Sequence, residues 1–63
     1  MTMKELDIVK LTVDYNGLSV GTKGTIVLKY NDDYFEVEFF DSNGDTIDVI
    51  TISKDFLELV TDI

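Results

Sequence analysis

Two carboxylates, Glu36 and Glu38, stand two positions apart in the run Tyr34-Phe35-Glu36-Val37-Glu38-Phe39-Phe40. On an extended strand that spacing puts both on one face, roughly 7 Å apart. Such a pair can divide acid and base work between its members. The chemistry also needs a cleft, a nucleophile with its base, or a donor for developing charge, and the sequence supplies no such constellation. The pair reads as surface charge, and the chain as a protein that is no enzyme. Asp41, Asn43 and Asp45 echo the first three ligands of a calcium loop. Thr46 stands where that loop needs glycine, and Ile52 where it needs a bidentate glutamate, so a turn decorated with Asp accounts for them. Gly21-Thr22-Lys23-Gly24 resembles a phosphate-cradling loop in composition alone, because it leads into a strand and not a helix. No metal or cofactor is expected.

Aromatic residues raise a different chemistry. Tyr15, Tyr30, Tyr34 and Phe40 could grip a proline-rich peptide, with Asp14 beside Tyr15 to pair an arginine. Grooves of that kind depend on a tryptophan, and none is present.

Charge is the largest compositional signal. Thirteen Asp and Glu face five Lys and no Arg, a formal net charge of −8 on 63 residues. Phosphate binding needs clustered cations, and these lysines are scattered, so direct nucleic-acid binding and anionic membranes are disfavoured. The charge either confers solubility alone or forms a field complementary to a basic partner. With no Cys and no His, zinc sites, haem ligation and thiol redox chemistry drop out. A hydrophobic fraction of 44% suits a folded chain, and residues 1–63 make one domain. No apolar run approaches a bilayer span, and the opening residues lead into no signal-type core, so a cytoplasmic protein is expected.

The elements that must position these residues are strands. Runs rich in Val, Ile, Thr, Phe and Tyr recur with turn signals between them. The first, Asp7 to Val13, turns Val9, Leu11 and Val13 inward. Asp14 to Gly24 is a long connection in which Leu18 and Val20 fold back as a lid. Lys23 to Tyr30 follows, with Ile26 and Leu28 inward. Asn31-Asp32-Asp33 is a tight turn before Tyr34 to Phe40, where Phe35, Val37 and Phe39 alternate with Glu36 and Glu38. Asn43-Gly44 predicts a two-residue type I′ hairpin into Thr46–Ile52. That register sets Val37 opposite Ile50, Phe35 opposite Ile52 and Glu38 opposite Val49. A slip of one residue would set Glu38 against Asp48, a destabilising like-charge pair. Asp48 then lies on the Phe39 side, near one end of the fold. Ser53 caps a 3₁₀ turn reaching Phe56, and Leu57 to Val60 closes the chain. The fold expected is all-β: a small five-stranded antiparallel SH3-like barrel with a single 3₁₀ turn before the last strand. An open meander that dimerises to hide its edges is the alternative.

The same register assigns Phe40, Ile47 and Val49 to the face that carries Glu36 and Glu38. With the inner face filled, three apolar side chains rimmed by carboxylates form a contact site. Coverage by a terminal segment is the competing reading.

The segments LDIVKLTVD, GTKGTIV, YFEVEFFDSNGDTI and ISKDFLELV, in that order, resemble a family of small bacterial SH3-like barrel domains of unknown function. GTKGTIV is shared more loosely with KOW-type and nitrile-hydratase-β-type barrels. The resemblance implies the fold and no established activity. Its members' association with nuclease-like or toxin-like neighbours implies a partner or antitoxin role. The chain departs from the pattern at Asp48, where a small apolar residue is usual.

The expectation is a non-catalytic acidic protein-binding module of antitoxin, immunity or inhibitor type. It docks on a basic partner through Phe40, Ile47 and Val49, with Glu36, Glu38, Asp32, Asp33 and Asp45 supplying the field. A nuclease partner would make the carboxylates a nucleic-acid mimic, as in a phage inhibitor of a defence nuclease. The alternative is a structural or assembly module, a homodimer or accessory subunit, whose charge only solubilises.

Overall fold

Alternation of apolar and polar residues shapes the third strand most clearly, and the computed structural model, which describes residues 2–61, places it near the middle of one sheet. The strands are β1 (Ile8–Leu11), β2 (Lys23–Lys29), β3 (Tyr34–Phe40), β4 (Thr46–Ser53) and β5 (Leu57–Leu59), with a 3₁₀ turn at Lys54–Phe56. All pairings are antiparallel, in the order β4-β3-β2-β1-β5. The expected all-β, five-stranded architecture with one 3₁₀ turn before the last strand is therefore present.

The sheet is not closed into a barrel; β4 and β5 are its two edges. It is nevertheless strongly curled. Ser53 ends one edge strand and Leu57 begins the other, four residues on, a reach of at most about 14 Å. Flat strands at ~4.8 Å spacing would hold those edges roughly 19 Å apart. Ser53 caps the 3₁₀ turn by accepting from Asp55 N–H, as the sequence implies. Lys54 N–H donates to the Asp33 carbonyl and Thr12 N–H to the Phe56 carbonyl, anchoring the turn on both sides.

Inside the curl lie Val9, Leu11, Leu18, Ile26, Phe35, Val37, Phe39, Ile52 and Leu57, all buried. Among the described residues no charged side chain is buried, which spares the fold the desolvation of its carboxylates. None of their helices is long and apolar enough to cross a membrane.

Four expectations need correction. β1 stops at Leu11, and Val13 is 42% exposed, because Thr12 already bonds to the 3₁₀ turn. Leu18 is buried, but Val20 is 59% exposed, so only half of the lid packs. Leu28 points outward at 40% exposure: β2 carries a bulge between Ile26 and Leu28, which sets Leu28 opposite Glu36 and reverses its face. The β3–β4 turn is not a two-residue loop. Gly44 N–H donates to the Asp41 carbonyl and Asp41 N–H to the Asp45 carbonyl, leaving Ser42-Asn43-Gly44 as a three-residue loop. Only Gly44 there has positive φ, at 85°, the pattern of a type I turn followed by a left-handed residue. Phe40 therefore pairs with Thr46 and not with Ile47, and a second bulge, at Ile47, then restores the expected register: Phe39 pairs with Asp48, Glu38 with Val49, Val37 with Ile50 and Phe35 with Ile52.

Candidate functional site

The β3–β4 hairpin concentrates carboxylates that have no lysine beside them in the sequence. Residues Tyr34–Ser53 carry Glu36, Glu38, Asp41, Asp45 and Asp48 and contain no lysine. Four of the five lysines are engaged elsewhere, with Lys4 on Asp7, Lys10 on Glu58, Lys29 on Asp32 and Lys54 on Asp33. Among the described residues none of the five hairpin carboxylates makes an ion pair.

Strand alternation sends Glu36 and Glu38 to the outer face, where both are half-buried. Glu36 Oε1 accepts from the Tyr30 hydroxyl at 2.7 Å, and Glu38 Oε2 from the Thr46 hydroxyl at 2.6 Å. The Glu36 carboxylate holds the Tyr30 phenol above its ordinary pKa, since losing the proton would break that bond and set two anions together; Thr51 acts in the opposite sense. Glu38 lies between Thr25 on β2 and Val49 on β4, and Glu36 between Leu28 and Thr51. Carboxylates and apolar side chains thus share one face.

At the hairpin end, Phe40 and Ile47 line a groove of about 690 Å³ with Val20, Lys23 and Asp41. Ile47 is 48% exposed. Val49, 49% exposed, stands outside this groove on the Glu38 row. The three apolar residues named from the sequence therefore fall into a groove pair and a separate edge position. Val20 belongs with the groove pair although its spacing from Leu18 assigns it to the core. Asp14 Oδ1 accepts from Val20 N–H at 2.8 Å in the turn that points Val20 outward. Its local signal is Asn16-Gly17, both with positive φ, flanked by Tyr15 and Leu18, which exchange backbone hydrogen bonds.

The remaining acidic candidates separate. Asp32 and Asp33 sit in the β2–β3 turn, each on a lysine, at the opposite end of β3 from Asp45. Asp45 is in the β3–β4 loop, whose shape Asp41 sets: its Oδ1 accepts from both Asn43 N–H and Asp45 N–H. Asp48 was placed beside Phe39 and is; it pairs with Phe39, is exposed, and its Oδ1 accepts from Val49 N–H at 2.9 Å. Tyr15, considered as a peptide contact, stacks on Phe56 with ring centroids 5.4 Å apart and packs against the core. Lys23, without an ion pair among the described residues, lies opposite Phe40 on β2.

No curated protein and no solved structure matches the chain. Residues 5–59 match the domain of unknown function DUF4926, and the chain belongs to that family.

Proposed function

We propose that this protein is a stoichiometric binding module that docks its β3–β4 hairpin on a basic protein surface. One observation carries the reading: of the eight carboxylates without an ion pair among the described residues, five occupy one hairpin that has no lysine, while four of the five lysines pair with acids elsewhere. That concentration on one element supports a docking field over charge spread for solubility alone. In the complex, Phe40 and Ile47 supply burial, and Glu36, Glu38, Asp45 and Asp48 meet lysines or arginines. Such a field speeds encounter and selects partners. An antitoxin, immunity protein or inhibitor acting on a cytoplasmic nucleic-acid enzyme fits, because that enzyme presents a cationic surface that the carboxylates can fill in place of phosphates. The strand order, with a 3₁₀ turn before the last strand, also supports kinship with SH3-like barrels.

The test is capture from a source lysate at low and high salt, with wild type beside a variant carrying Glu36→Gln, Glu38→Gln, Asp45→Asn and Asp48→Asn. A basic protein should be retained by wild type at low salt, released at high salt and missed by the variant. Capture indifferent to salt and to the variant would sink the reading. The open β4 edge supports a second reading, an assembly module that pairs with itself. Sedimentation as a strict monomer at micromolar concentration ends that one.

A further inference from the structure

The two sheet edges are unequal. β5 is three residues long and offers little to a partner, whereas β4 runs for eight residues and pairs in the sheet with β3 alone. Edges of that length template another strand unless they are blunted; the bulge at Ile47 and the charge of Asp48 blunt one end of β4, and Val49–Ser53 beyond them carries no lysine or proline. The direction of its backbone groups follows from the ladder. Tyr30 N–H bonds to the Tyr34 carbonyl, so the Tyr34 backbone faces β2, and alternation turns Phe35, Val37 and Phe39 toward β4. Their partners Ile52, Ile50 and Asp48 are thereby satisfied, and Val49 and Thr51 present N–H and C=O off the open edge. Consistent with this, the Val49 N–H is taken by a side chain, the Asp48 carboxylate, 2.9 Å away.

We infer that the Val49–Thr51 edge of β4 is a strand-addition site for an extended segment that alternates lysine or arginine with β-branched residues. This deepens the proposed docking by naming its mode, and it rests on that reading. The occupant's chemistry follows from charge. A second copy would bring two hairpins together, each with five carboxylates and no lysine, which opposes self-pairing. A basic strand meets the opposite situation. As it takes the Val49 N–H, it frees the Asp48 carboxylate to pair with a cation of the incoming strand. Beta-branched side chains on the other face lie along Val49 and Thr51 beside Glu38. Asp48 thus guards the edge while it is empty and pairs with the partner when it fills.

The test uses the whole chain, by NMR, with a short peptide alternating lysine and valine. Amide exchange at Val49 and Thr51 should slow by about tenfold or more on saturation, and N-methylation of the peptide's edge-facing amides should weaken binding at least about tenfold. A matching peptide of glutamate and valine should not bind. Val49→Pro, which removes an outward N–H at a position an edge tolerates, should reduce affinity by a similar factor while circular dichroism shows the sheet intact. Should that variant unfold, the N-methylated peptide against wild type decides alone. Equal binding of the N-methylated or glutamate peptide, no binding at all, or protection of Val49 and Thr51 in a peptide-free dimer overturns the proposal. Salt-sensitive capture of a basic protein with the Val49 and Thr51 amides unchanged overturns edge pairing while the docking reading stands.

Discussion

Gly24 passes so close to β3 that a Cβ built on it would stand 2.6 Å from Val37 Cγ1, and 2.9 Å from both the Glu38 carbonyl and Phe39 Cδ1. The residue pairs with Val9 on one side and Phe39 on the other, at the centre of the curled sheet. Its backbone needs no left-handed conformation, so space alone demands glycine there. Gly24→Ala should destabilise the fold by about 1–3 kcal/mol, since the obstructing atoms are buried side chains and a backbone carbonyl that cannot swing away. Urea unfolding should show a lower midpoint with an unchanged slope.

Asp41 organises the β3–β4 loop through two bonds from its Oδ1, to Asn43 N–H and Asp45 N–H. Asp41→Ala should cost about 1–2 kcal/mol, because each exposed bond contributes modestly. The loop's amide protection should fall first, visible as faster hydrogen exchange at Asn43 and Asp45.

Tyr30 and Asp7 place two marks on the pH dependence of stability. The Tyr30 proton is held more tightly in the folded state, above the ordinary value of 10.0. Its contribution is therefore present below that pH and lost as pH rises through the folded pKa. Glu36→Gln should move the Tyr30 titration, followed through its ring signals by NMR, down toward the ordinary value. The Asp7 carboxyl is lowered from 3.8, chiefly by the hydrogen bond from the Lys4 side chain, so its contribution is present above 3.8 and lost as pH falls through the folded value. Asp7→Asn should remove that acid-side loss. An unaltered acid limb would show that the Lys4 contact is not kept in solution.

Ile47→Asp should leave the unfolding free energy within about 0.5 kcal/mol of wild type, as an exposed bulge residue allows, while abolishing partner capture. Unfolding of this variant would assign Ile47 to the core and not to the contact groove.

The register was legible from the residues around Glu38. Inward Phe35, Val37 and Phe39, the like-charge penalty against Asp48, and the Asn43-Gly44 turn signal all point to Glu38 opposite Val49, and the ladder has that pair. The route to it was not legible. The loop is one residue longer than a type I′ turn, and the bulge at Ile47 absorbs the difference, so two local departures cancel. Bulges escape alternation because the partner strand decides where an extra residue fits; the same holds for Leu28, whose parity says inward and whose bulge turns it out. The groove was legible in part. Phe40 and Ile47 were named, but Val20 reaches them only through a turn closed by Asp14 across six residues.

Composition and period-two patterning were enough to establish an acidic, all-β chain and which face of β3 packs inward, because both depend on residue type and immediate neighbours. Folding alone decided which carboxylates stay uncompensated and which strand lies open. Lys10 reaches Glu58, Lys54 reaches Asp33, and β5 joins β1 and leaves β4 exposed. Those are contacts between distant parts of the chain, and they exist only once the sheet has curled.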